Sequence, residues 1–103
     1  MDRVSDILDN REASRLTYVA DGHKAELRYR RRADRLVLVH TGVPVELEGH
    51  GVGGALVSAA VDLAEQGNLT LVPLCPFARG WLERHPEAVA RVRVDWDAGS
   101  PLS

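Results

Sequence analysis

Cysteine is nearly missing from this chain. Cys75 is the only one among 103 residues, so no internal disulfide framework and no multi-cysteine zinc site can form. Long apolar runs are missing too, and none approaches the roughly 20 residues that span a bilayer. Charge of one sign is not in excess: Lys plus Arg is 13 and Asp plus Glu is 15, a formal charge of -2. That balance argues against a dedicated nucleic-acid coat protein and leaves room for a local basic patch. The opening MDRVSDILDNREAS lacks the apolar stretch of a signal peptide, so a reduced cytosolic location is expected. What remains is an ordinary soluble mixture, 45% hydrophobic and 27% charged. At this length it supports one small domain with one modest core, expected over residues 1–103.

Hydrophobic periodicity orders the chain. Residues 1–15 read as a loosely attached lead-in. Leu16, Tyr18 and Ala20 alternate with Thr17 and Val19, Asp21-Gly22 signals a turn, and Ala25, Leu27 and Tyr29 alternate with charged neighbours. This predicts a hairpin with one wet face. Arg31 to Asp34 reads as the next turn. Leu36-Val37-Leu38-Val39 has no polar interruption and predicts a strand covered on both faces.

Val52, Leu56, Val57, Ala60, Leu63 and Ala64 form a stripe of helical period, so a helix is expected from Val52 to Gln66. Gly67-Asn68 stops it, with the glycine expected in the left-handed conformation. Leu69 to Leu74 predicts a short strand, joined to the buried one by a right-handed parallel crossover. A second helix is expected over Phe77 to His85, with Pro76 in its first turn and Pro86 at its end. Ala88, Ala90, Val92, Val94 and Trp96 alternate and predict a last strand, at an edge or as a hairpin return. The tail from Asp97 to Ser103 is expected to fray. The fold class is therefore α/β, a compact mixed sheet flanked by helices.

Four of the 9 glycines fall in the six residues Gly49-His50-Gly51-Val52-Gly53-Gly54, directly before the strongest helix. Missing Cβ atoms and free first-turn amides suit close approach of an anion. Tight helix–sheet packing is the plainer explanation. A Walker A loop is excluded, because the required lysine and Ser/Thr are absent. Gly49, Gly51 and Gly54 satisfy G-x-G-x-x-G, yet the preceding Val43-Pro44-Val45-Glu46-Leu47 is broken by proline and the chain is too short for a dinucleotide fold.

A family resemblance becomes specific on three separated motifs. They are His40-Thr41-Gly42-Val43-Pro44 with Leu47-Glu48-Gly49-His50-Gly51-Val52-Gly53, then Val72-Pro73-Leu74-Cys75-Pro76-Phe77, then Arg84-His85-Pro86-Glu87. In this order they resemble the small single-domain, YJDJ-type branch of the GNAT N-acetyltransferase superfamily, from about Ala13 to Glu87. The resemblance implies acetyl-CoA binding at splayed strands beside the glycine-rich helix start. Val43 and the run Gly49, His50, Gly51, Val52, Gly53, Gly54 and Ala55 would hold the cofactor, with the pyrophosphate on the amides of 49–55. Glu48 stands where a basic or glutamine residue usually begins this motif, and His50 where arginine or lysine is frequent. A weaker electrostatic grip on phosphate is expected near neutral pH.

The same resemblance makes Cys75 a candidate catalytic residue beside the acetyl group, as covalent acceptor or as lining for direct transfer. By itself the residue is equally well a buried small hydrophobe. His40, at the end of the buried strand, is the candidate base, for Cys75 or for an incoming ammonium group; a backbone-bonded structural histidine is the alternative. Glu46 and Glu48 are alternative bases or plain surface carboxylates. Trp81 stands at the aromatic position of the late helix, so no acidic proton comes from there. His85 reads as a capping residue and His23 as solvent-facing. No spacing supports a metal site.

Lys24, Arg28, Arg30, Arg31, Arg32 and Arg35 gather six of the 13 basic residues in one hairpin region, with Tyr29 the lone aromatic among them. This is a solvated face, or a contact for the cofactor's nucleotide end or an acidic protein. Nucleic-acid recognition is disfavoured by the net negative charge. The leading expectation is acetyl transfer from acetyl-CoA to an amine, on a protein lysine or a small molecule. The rival is a noncatalytic acyl-CoA-binding or protein-interaction domain. The sequence leaves the acceptor and the oligomeric state open.

Overall fold

Alternation sets most of the sheet. In the computed structural model, which describes residues 7–97, the strands are β1 (Leu8–Asn10), β2 (Arg15–Ala20), β3 (His23–Arg32), β4 (Arg35–Gly42), β5 (Thr70–Pro73) and β6 (Arg93–Val94). The helices are α1 (Val52–Gly67), α2 (Pro76–Glu83) and α3 (Pro86–Val89), with a single 3-10 turn at Val45–Leu47. Strand order follows the chain, β1 through β6. The first four strands run antiparallel, and β5 and β6 add in parallel.

The β2–β3 hairpin closes as expected. Asp21 and Gly22 both take positive φ, 53° and 76°, the turn whose twist matches paired strands. The second turn is shorter than expected: β3 continues through Arg32, and Ala33 takes φ 51°. The lead-in is also more ordered than its polarity suggests. Leu8–Asn10 pairs with Arg15–Thr17, and the Tyr29 hydroxyl donates to Asp9 Oδ1 at 2.5 Å.

Helix α1 buries Val52, Leu56, Val57, Ala60, Val61 and Ala64, with Leu63 at the margin of the stripe. It packs across β2, β3, β4 and β5, and α2 packs on β4 and β5. Both touch α3 and each other, so the helices share one face over Leu16, Leu27, Leu36, Leu38 and Leu71. Each such side chain contributes about 1.5–3 kcal/mol on full burial. Among the described residues the other face is open, which corrects the reading of β4 as covered on both sides. Leu36 and Leu38 are buried, while Val37 is half-buried and Val39 is exposed. An unbroken apolar run here reflects β-branched residues on a wet face, which β-sheets tolerate.

Two further expectations change. Asn68, at φ 56° and ψ 45°, takes the left-handed C-cap position, while Gly67 stays helical. A Cβ on Gly67 would lie 3.2 Å from Leu69 Cγ, so that glycine serves close packing. The final alternation is mostly not a strand: Pro86 starts α3, Ala88 is buried in it, and only Arg93–Val94 pairs, parallel to β5. Proline at N1 and the short run Glu87-Ala88 favour the helical turn. Arg91, just beyond, donates to Glu65 (2.5 Å) and Asp62 (2.6 Å) on α1. Those carboxylates, Glu65 first, hold its guanidinium further above its ordinary pKa. The expected fraying of the tail falls outside the described residues beyond Asp97. Among the described residues no helix is long and apolar enough to cross a membrane.

Tyr29 yields a pH prediction. Burial first, then its bond to Asp9 and the charge of that carboxylate, push the phenol from 10.0 up to about 12. The protonated phenol is the favoured native form, so its contribution to stability is complete below pH 10 and is lost as pH rises through 12. In a Tyr18→Phe background, where Tyr29 is the sole tyrosine, phenolate absorbance should rise near pH 12, together with falling resistance to urea. A midpoint at 10 would show that Tyr29 is neither buried nor held by Asp9 in solution.

Candidate functional site

The sheet parts between β4 and β5. The pair runs from Arg35–Thr70 to Leu38–Pro73 and stops, whereas β4 continues through Gly42. Pro73 and Pro76 have no amide hydrogen to extend the ladder. The backbone turns away instead, and the carbonyl of Leu38 accepts from both Leu74 N and Cys75 N at 3.0 Å each. From there α2 begins, with Cys75 at its N-cap and Pro76 in its first turn. Beyond Leu38, one edge of β4 has no strand beside it among the described residues.

A bulge lies at the same level. Tyr29 faces Leu38 and Arg28 faces His40, leaving Val39 over. The extra residue resets the alternation. Leu38 and Thr41 (opposite Leu27) point toward the helices, and His40 points to the open face beside Arg28. Thr41 Oγ1 lies 3.3 Å from Cys75 Sγ. The thiol is buried, at 3% exposure, and Thr41 closes the inner end of the notch with it.

The turn before α1 completes the site. Gly49 and Gly51 have φ of 84° and 76°, and a Cβ on either would meet nothing within 4 Å. Their backbone conformation favours glycine over other residues by about 1–2 kcal/mol. Gly51 is the N-cap, no side chain caps the helix, and its first turn carries no acidic residue. Ala55 N already donates to Gly51 O at 3.0 Å, so the amides of Val52, Gly53 and Gly54 are those without a helical acceptor. Gly53 and Gly54 serve packing as well. A Cβ there would lie 2.7 Å from the Phe77 ring and 2.6 Å from the Trp81 indole nitrogen. The plain packing reading thus applies to two of the four glycines, and it is α2, not the sheet, that comes close.

Notch and turn share one cleft of about 450 Å³. Thr41 and Val43 line it from the end of β4, Leu47, Glu48 and Gly49 from the turn, and residues 51–54 with Phe77 from the helices. Of the candidate cofactor residues, Val43, Gly49, Gly51, Val52, Gly53 and Gly54 are on its wall, and His50 and Ala55 are not. Cys75 sits behind Thr41, and His40 is on the opposite face, so the structure does not bring these two side chains together. Glu46 lies 3.7 Å from His23, while Glu48 is exposed on the cleft wall. His85 caps as expected: its Nδ1 donates to Trp81 O at 2.7 Å, and its ring stacks on that indole with centroids 3.9 Å apart. Sequence reasoning passed over Thr41 and Phe77. The bulge that turns Thr41 inward leaves no local signal, and Phe77 shows only through its seat over Gly53.

Comparison with known proteins agrees with this geometry. The profile of the GCN5-related N-acetyl-transferase family matches residues 15–92. The NMR solution structure of a GCN5-like protein from Staphylococcus aureus superimposes with a TM-score of 0.68 at 27% identity, covering 93% of this chain and 95% of that one. No curated protein matches. With a family match that includes the parted strands, the glycine turn and all three helices, this chain belongs to the GCN5-related N-acetyltransferases.

Proposed function

We propose that the protein transfers an acetyl group from acetyl-CoA to a primary amine. One observation carries this reading: a single cleft joins an uncapped helix start to the unpartnered edge of a parted sheet. The first feature suits a pyrophosphate. Each amide of Val52, Gly53 and Gly54 offers a charge-assisted bond, worth about 1.5–3 kcal/mol where desolvated. Among the described residues no lysine or arginine lines the cleft and Glu48 does, so the amides and the helix dipole supply the attraction. The edge of β4 from Val39 to Gly42 offers backbone groups to the amides of a pantetheine arm, as another strand would.

When bound, acetyl-CoA supplies an activated thioester. The chain's own residues then divide the work. Cys75 and Thr41 bound the inner end of the notch, and the thiol has a hydroxyl as its side-chain partner rather than a base. That supports Cys75 as lining for direct transfer over a covalent relay. His40 faces the open side at the level of the parting. There it can take a proton from an arriving ammonium group; the freed lone pair would form the C–N bond to the carbonyl carbon as the thioester C–S bond breaks, and the second amine proton would leave with CoA as its thiol.

Calorimetry with acetyl-CoA tests the first half. Binding should be measurable, and His50→Lys should tighten it about two- to fivefold at low salt, with the gain shrinking as salt rises. Unchanged affinity would place the pyrophosphate away from this turn. Turnover tests the second half. With a primary amine as acceptor, His40→Ala should lower kcat at neutral pH by about a hundredfold, the usual scale of general-base loss. Cys75→Ala should keep most activity, and loss of both turnover and self-acetylation in that variant would establish the relay instead.

A further inference from the structure

Among the described residues nothing covers the face of the sheet turned away from the helices, and that face is cationic. Register places Lys24, Arg28, Arg30 and Arg32 of β3 on it, with Arg15 of β2 and Arg35 of β4 alongside. Carboxylates answer only part of this charge. Glu26 pairs with Arg15 at 3.0 Å and Arg28 at 3.6 Å, and Asp95 pairs with Arg35 at 2.8 Å. Lys24, Arg30 and Arg32 have no carboxylate partner among the described residues. Apolar residues stand between the cations: Val19 faces Lys24 and Val37 faces Arg30. Val19 is 61% exposed and Val39, at the bulge, 37%.

This surface selects its occupant. A second copy would set like charges against each other, which costs energy across any interface. Nucleic acid would find phosphate contacts but, among the described residues of β2, β3 and β4, no tyrosine to stack on, since Tyr18 and Tyr29 lie opposite Ala25 and Leu38 on the helix-facing side. A chain alternating acidic and apolar residues meets both features at once. We propose that the open face docks an extended acidic polypeptide with interspersed apolar residues. The docking stands apart from the reading of the cleft. Where both hold, such a segment passes His40, which stands beside Arg28 on this face.

The test uses the whole protein and a short synthetic peptide mixing Glu and Asp with Leu and Val. Its addition should shift backbone amides of β2, β3 and β4 and leave those of α1 in place, and affinity should fall as salt rises. Lys24→Glu combined with Arg30→Glu should weaken binding about tenfold, or 1.4 kcal/mol, with circular dichroism and acetyl-CoA affinity unchanged. If that variant does not fold, the shift map of the unaltered protein decides. Absence of shifts on this face overturns the proposal. So does tighter binding of a single-stranded oligonucleotide or of anionic lipid vesicles than of the peptide.

Discussion

The carbonyl of Leu38 is the hinge of this structure. By accepting from two successive amides, Leu74 and Cys75, it ends the β4–β5 ladder and turns the chain into α2. Without that double acceptance β5 would run on beside Val39 and His40, and the sheet would have no notch. The prolines at 73 and 76 make the alternative costly, because each lacks the amide a continuing ladder needs. The bulge at Val39 falls at the same level and sends Thr41 toward the helices and His40 away from them. One break in pairing thus produces both the entrance to the cleft and the separation of its two candidate chemical groups.

A small core explains why the helices crowd one face. Among the described residues one helix is long enough to cover four strands, and α2 packs against its start. Gly53 and Gly54 let the Phe77 and Trp81 rings come within reach of the α1 backbone. The same residues present amides and admit α2, so packing and ligand approach use one feature. The opposite face stays wet, as β-sheets allow, and carries long cationic side chains between its exposed valines.

Much of the fold was legible because its signals are local. Asp21-Gly22 named the hairpin, the stripe on α1 named its buried side, and Pro76 marked the start of α2. Expectations failed where a tertiary partner decided the outcome. Asp9 and Asn10 follow a lone Leu8 with no strand pattern of their own, and Leu8–Asn10 pairs with β2 while Tyr29 holds Asp9. Ala88 alternates like a strand residue and is helical because Pro86 begins a turn that buries it. In the site, the glycine run announced a helix start suited to anions. It did not reveal that half of those glycines answer to aromatic rings one helix away. The pairing of Cys75 with Thr41 was hidden by a bulge, which shifts every later side chain to the other face without any local marker.

On this reading the notch and the helix start form one binding site for acetyl-CoA. An NMR titration of the backbone amides with acetyl-CoA tests it most directly. The account predicts that Gly53 and Gly54 shift together with Thr41 and Gly42, along a single saturation curve, while amides of β1 and β6 stay fixed. Shifts confined to one of the two features, or appearing only on the open sheet face, would contradict it.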